Sequence, residues 1–173
     1  SLGRVEGPIP LPLPPNFRSS PLGAFMRRRS SKVRVIHDLS WPPGQSVNDG
    51  INKSDYSLKY TSVDEAVTLC NQYTEPWMAK IDLKSAYMSC AIEESDRNYL
   101  GFSWKGPDGQ TNYYRFASLP FGLKSAPKLF NDFATGLEYV MKLRGVSGSL
   151  IHYLDDYLVI CASEVECKRC LEI

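Results

Sequence analysis

The chain opens on a stretch that fits no regular element. Residues 7–15 read GPIPLPLPP, and proline at most alternate positions removes the amide hydrogens that a helix or a central strand needs, so residues 1–20 are expected to form an extended arm. Lys32–Leu39 (KVRVIHDL) alternates charged and β-branched residues, the period of a strand with one polar face, and Pro42, Pro43 and Gly44 stop it. Ser62 followed by Glu65 is a capping box ahead of Ala66, Val67 and Leu69, which predicts a helix to about Tyr73. Trp77–Asp82 (WMAKID) reads as a buried strand that ends at Asp82, where LKSAY begins a tight turn. Tyr99–Trp104 and Tyr113–Ser118 predict two strands joined across Gly106, Pro107, Asp108 and Gly109. From Ser125 to Gly145 a helix is expected, with Leu129, Phe130, Phe133, Leu137, Val140 and Met141 as its apolar face. Leu150–Leu154 and Tyr157–Cys161 form a hairpin pattern with Asp155 and Asp156 at its tip, and a second capping box, Ser163 with Glu166, starts a last helix.

Composition narrows the class. A chain of 173 residues is one ordinary domain, or a piece of a larger protein, and is long enough to bury a core. With 43% hydrophobic, 12% aromatic and 23% charged residues it is globular in composition. No run approaches the roughly 18 apolar residues of a membrane span, which excludes a transmembrane helix. Neither a secretory leader pattern nor an even cysteine count is present, since there are five cysteines; the expected setting is intracellular and reduced, cytoplasmic or nuclear, and not secreted. The net charge of +1 conceals an asymmetry: residues 1–60 carry nine Lys/Arg against four Asp/Glu, and the remainder eleven against fifteen. Arg27, Arg28, Arg29, Lys32 and Arg34 supply five of those nine. A basic front and an acidic back suit a polyanion on one side and metal-binding carboxylates on the other, and a basic run also suits a solvated loop.

The acidic residues carry the chemistry. Aspartates are common turn formers, but Asp155 and Asp156 lie between apolar strands, where adjacent like charges repel unless a cation offsets them. Asp82 leaves another strand by the same logic. Three carboxylates at neighbouring strand ends suit two Mg²⁺ ions, which prefer oxygen ligands and can promote in-line phosphoryl transfer. Cys167 and Cys170 form CxxC near Cys161, but zinc needs four ligands and neither His37 nor His152 has a familiar spacing, so the pair reads as two helix cysteines. His152 reads as a satisfied core histidine, and Trp41, Trp77 and Trp104 as packing groups.

The order of motifs carries a further reading. Asp82–Tyr87 (DLKSAY), Leu119–Pro127 (LPFGLKSAP) and Tyr153–Asp156 (YLDD), preceded by RVIHDLS, resemble the successive catalytic blocks of reverse transcriptases. The resemblance runs from about Pro21 to Cys161. The wording SPLG, RVIHDLSWPPGQSVNDGI and DRNYLGFSW is most similar to retrotransposons of the DIRS or gypsy type. It implies an α+β right-hand polymerase, with fingers and a mixed, mostly antiparallel palm sheet over residues 21–173 and helices on one of its faces. Thumb and ribonuclease H would belong to other parts of the polyprotein.

The resemblance also implies roles. Asp82, Asp155 and Asp156 would be the catalytic carboxylates, with Asp82, Asp155 and the backbone carbonyl of Leu83 as metal contacts and Asp156 as a further metal-site carboxylate. Arg34 would clamp the incoming triphosphate, for which a guanidinium is suited, and Lys32 would assist it from the same hairpin. Tyr87 matches a gate that excludes a 2′-hydroxyl, although by itself it reads as a core tyrosine; Phe121 and Gly122 would lie near the nucleotide. Arg27, Arg28, Lys124 and Tyr153 would face template and primer. The implied activity is RNA-directed DNA synthesis on a template with annealed primer, using dNTPs and two Mg²⁺ ions, with Mn²⁺ as a substitute and no membrane partner. A silent nucleic-acid-binding remnant of a retroelement, or a palm enzyme copying RNA into RNA or DNA into DNA, competes with it.

Overall fold

Antiparallel pairing organises most of the computed structural model, which describes residues 3–26 and 33–173. Its strands are β1 (Val5–Glu6), β2 (Leu22–Met26), β3 (Val33–His37), β4 (Trp77–Asp82), β5 (Gly101–Lys105), β6 (Thr111–Phe116), β7 (Ser149–Tyr153) and β8 (Asp156–Cys161). Its α-helices are α1 (Val63–Cys70), α2 (Glu94–Arg97), α3 (Ala126–Leu143) and α4 (Glu164–Leu171). The architecture is therefore α+β. In place of one mixed sheet, the named strands form three sheets, each antiparallel, and an isolated bridge from Ser19 to Gly101 is parallel. No helix among the described residues is long and apolar enough to cross a membrane.

The chain divides into two units, Ser1–Tyr56 with Tyr87–Ala126, and Ser57–Ala86 with Pro127–Ile173. In the first, the sheet order is β1-β6-β5, and Leu39, Leu100, Phe102 and Phe116 are buried beneath it. His37 joins this core, its ring centroid 5.3 Å from that of Phe116 and its Nε2 3.0 Å from the Gly101 carbonyl oxygen; burial lowers its pKa. The proline arm lies along an edge: β1 pairs with β6, and the Ile9 amide donates to the Tyr113 carbonyl at 2.7 Å. Glu6 clasps it there, accepting from Arg97 Nη1 at 2.5 Å and Arg115 Nε at 2.7 Å. The β2–β3 ribbon departs from expectation. Val33, Val35 and Ile36 are exposed along with Arg34, because a two-stranded ribbon has no third layer to cover its apolar face.

In the second unit the order is β4-β8-β7. Central β8 is buried at Tyr157, Val159, Ile160 and Cys161, whereas β4, expected to be buried, alternates exposed and half-buried residues because it is an edge strand. Tyr157 and His152 point toward α3: the Tyr157 hydroxyl donates to the Ala134 carbonyl at 2.9 Å, and His152 Nδ1 lies 2.7 Å from Glu138 Oε2. Burial, with the Glu138 charge added, pushes the Tyr157 hydroxyl up to about 12. The inward stripe of α3 runs through Phe130 and Ala134, four residues apart, so Leu129, Phe133 and Val140 of the expected face are exposed.

The capping box at α1 is complete, with Glu65 N donating to Ser62 Oγ at 3.2 Å and Ser62 N to Glu65 Oε2 at 2.9 Å. At α4 half of it forms. Ser163 Oγ accepts from Glu166 N, but the Glu166 carboxylate turns to Ser147 Oγ and Ala162 N. Cys167 and Cys170 are buried, Cys170 Sγ lies 4.0 Å from Cys161 Sγ, and all five cysteines are free thiols. Trp41, Trp77 and Trp104, expected to pack inside, are all exposed.

Burial alone would raise the Glu6 carboxyl, but the Arg115 and Arg97 guanidiniums outweigh it and hold it below 4.5. The clasp is therefore fully stabilising above that value and is lost as pH falls through the lowered folded-state pKa. Glu6→Gln should cost about 1–2 kcal/mol in urea unfolding near neutral pH. That difference should shrink as the pH is taken below the folded value.

Candidate active site

The β7–β8 hairpin closes on the pair Tyr153 and Asp156, with Leu154 and Asp155 as its two-residue tip. Leu154 has φ +53°, an uncommon backbone region for a branched residue. The expectation of both aspartates at the tip is thus corrected: Asp155 is there, and Asp156 is the first residue of β8. Pairing of β4 with β8 then sets Asp82 directly opposite Asp156, and the Leu83 amide donates to the Asp155 carbonyl at 3.1 Å. Register alone brings Asp82, Leu83, Asp155 and Asp156 to one end of the sheet.

Like charges directly opposite each other destabilise a sheet. Here a cation offsets them. Lys80 lies two residues before Asp82, on the same face by the strand's period, and its Nζ is 2.9 Å from Asp156 Oδ1. The hydrogen bond and charge of Asp156 raise the Lys80 pKa, and the charges of Asp82 and Asp155 add to this. Lys80 and Asp156 also border a cavity of about 320 Å³ whose other walls include Ser62, Ala66, Ile151 and Leu158. Lys80 belongs to none of the catalytic motifs above, although the spacing KxD within a strand puts it beside Asp82.

The donors suit a hard divalent cation in kind, since carboxylates and the Leu83 carbonyl are all oxygen ligands. Their arrangement is less complete. Among the described residues no three His, Cys, Asp or Glu side chains converge as a ready ligand group. Asp156 is turned to Lys80, which leaves the exposed Asp82 and the half-buried Asp155 as the carboxylates outside that ion pair.

The first unit holds a second group. Tyr87 opens a short 3₁₀ turn, Tyr87–Ser89, and its ring centroid is 5.1 Å from that of the exposed Phe121. Gly122 has φ +111°, and a Cβ there would meet the His37 carbonyl oxygen at 2.0 Å. The protein's own backbone therefore passes too close at this position for any side chain. Asn48, which is buried and was not singled out from the sequence, ties this loop together: its Nδ2 donates to the Gly122 carbonyl at 2.8 Å and its Oδ1 accepts from the Lys124 amide at 2.7 Å. The Lys124 ammonium donates to the carbonyls of Asn48 and Ile51. That amine braces the loop.

Arg34 is exposed on β3, opposite Phe25. Tyr153 is exposed, with its ring centroid 5.1 Å from that of Tyr60. Arg27, Arg28, Arg29 and Lys32 lie outside the described residues. Gly122→Ala should destabilise the chain by about 2 kcal/mol or more in urea unfolding, because it adds both backbone strain and a clash with backbone.

A family model described as reverse transcriptase (RNA-dependent DNA polymerase) matches residues 33–173. The chain is also similar to segments of Gag-Pol polyproteins. It is 27% identical over 95 residues to that of feline leukemia virus, covering 54% of this chain and 6% of the polyprotein. It is 28% identical over 94 residues to that of gibbon ape leukemia virus, again covering 54% and 6%. With that of avian reticuloendotheliosis virus it shares 26% identity over 152 residues, 86% of this chain and 12% of the polyprotein. The chain therefore spans a small part of each of these relatives.

Proposed function

The chain belongs to the reverse transcriptase family, and from that premise we propose that it is the fingers and palm of an RNA-directed DNA polymerase carried in a retroelement polyprotein of the DIRS or gypsy lineage. The first unit is read as fingers, joined by the arm of residues 1–20, and the second as palm. The observation that carries the reading is the β4–β8 register, which sets Asp82 opposite Asp156 with Asp155 at the adjoining tip.

In this reading Asp82, Asp155 and the Leu83 carbonyl hold divalent ions, Mg²⁺ or its substitute Mn²⁺. Two such ions, when bound, would activate the primer 3′-hydroxyl and stabilise the leaving pyrophosphate. The protein's own part is positioning. Arg34, with Lys32, holds the triphosphate in a geometry that a planar guanidinium fits. The Tyr87 ring, which packs against Phe121, would collide with a ribose 2′-hydroxyl. Arg27, Arg28 and Tyr153 are assigned to contacts with template and primer, while Lys124 acts through the loop it braces. Binding to the duplex runs through phosphates and is salt-dependent and indifferent to sequence.

Primer extension on an RNA template with dNTPs and Mg²⁺ tests this, in the chain and in the polyprotein that carries it. Asp155→Ala should abolish extension and leave the fold intact, since the tip carboxylate supports no core. A folded Asp155→Ala protein that extends like the wild type overturns the assignment; primer-template binding without extension by any form favours the silent remnant. Tyr87→Ala should raise ribonucleotide use relative to dNTPs by about tenfold, equivalent to ~1.4 kcal/mol of lost discrimination. Competition incorporation assays read that ratio.

A further inference from the structure

Lys80 is a charged side chain at the carboxylate end of the second unit to which the proposed function gives no role. It shares a face of β4 with Asp82, and it lies diagonally from Asp156, two positions along the neighbouring strand. Its ammonium meets Asp156 Oδ1 at 2.9 Å, and Asp156 is the one of the three carboxylates with which it forms a salt bridge among the described residues. The side chains of Lys80 and Asp156 are 62% and 41% exposed, so the contact contributes little to folding stability. Its consequence is local charge. Three carboxylates and one ammonium carry a net −2, which a single divalent cation neutralises; without the ammonium the cluster carries −3 and a third carboxylate is free to ligate.

We propose that Lys80 is a positioning residue that holds Asp156 out of the metal-ligand set, so that Asp82 and Asp155 alone present side-chain oxygens to divalent ions and the affinity of the empty site for them is kept low. The inference rests on the metal reading given above. It adds that Asp156 serves as the anchor of an internal counter-ion, and that this lysine sets how strongly a divalent ion binds before nucleotide arrives. A site saturated in advance would hold its ions whether or not a triphosphate were present. The Lys80 ammonium leaves room for the nucleotide's own phosphate oxygens to complete the binding.

The test is Mn²⁺ binding to the chain without nucleotide or nucleic acid, followed by the electron paramagnetic resonance of the free ion. Lys80→Met removes the charge and keeps the length of the stem, and should tighten Mn²⁺ binding by at least about threefold, because affinity follows the count of ligand charges. Lys80→Arg keeps the ion pair and should bind like the wild type. The double variant Lys80→Met with Asp156→Asn should lose the gain. A residue that merely supported the strand would move none of these affinities in that pattern, and circular dichroism checks the fold of each variant; Lys80→Gln replaces Lys80→Met if the latter does not fold. Asp82→Asn separates the two levels of the argument. If it weakens Mn²⁺ binding while Lys80→Met binds no more tightly than the wild type, the role of Lys80 is overturned and the metal reading stands. If Asp82→Asn leaves binding unchanged, the metal reading fails, and the role of Lys80 with it.

Discussion

The pairing of Asp82 with Asp156 is the constraint on which the candidate site depends. Side chains alternate across a strand, so a slip of one residue between β4 and β8 would send Asp82 and Lys80 to the opposite face and separate the carboxylates. What holds the register is the rest of the second unit. Tyr157, Val159 and Cys161 face inward on alternate positions, and the Tyr157 hydroxyl is fixed to the Ala134 carbonyl of α3. The buried face of the central strand thus decides the geometry of the acidic one. Electrostatic repulsion at the sheet end works against the fold, and the Lys80 ammonium relieves part of it.

Unit 1 shows a comparable division of labour. Its loop around Phe121 and Gly122 is placed by the backbone of His37, whose amide donates to the Phe121 carbonyl at 3.2 Å, and by the buried Asn48 side chain, whose carboxamide spans Gly122 and Lys124. The Lys124 ammonium adds a brace from outside, to the carbonyls of Asn48 and Ile51. Phe121 is consequently left outside to contact other groups, and a glycine is required where β3 passes close behind it.

Much of this was legible in the sequence where local chemistry decides structure. The Ser62 and Glu65 cap, the strand WMAKID and the hairpin around Asp155 all follow from short-range rules of capping, alternation and turn formation. What was not legible depends on partners distant in the chain. Burial of β4 was overestimated because edge or centre is a property of the sheet order. The apolar face of α3 was drawn too wide, and the three tryptophans were placed inside, because apolar character does not say which surface finds a neighbour. The Glu166 amide keeps the Ser163 hydroxyl, but its carboxylate turns to Ser147, nineteen positions away. Asn48 and Lys80 were overlooked for the same reason: their partners, Gly122 and Asp156, are far off in sequence.

Whether Asp82 and Asp155 hold a divalent ion together can be measured directly. Fe²⁺ with ascorbate and peroxide cuts a polypeptide close to where the ion is bound, which gives a direct readout independent of polymerase activity. Cleavage should yield fragments ending near residues 82 and 155, both suppressed by excess Mg²⁺. Cleavage elsewhere, or at one of the two positions alone, would contradict the shared site.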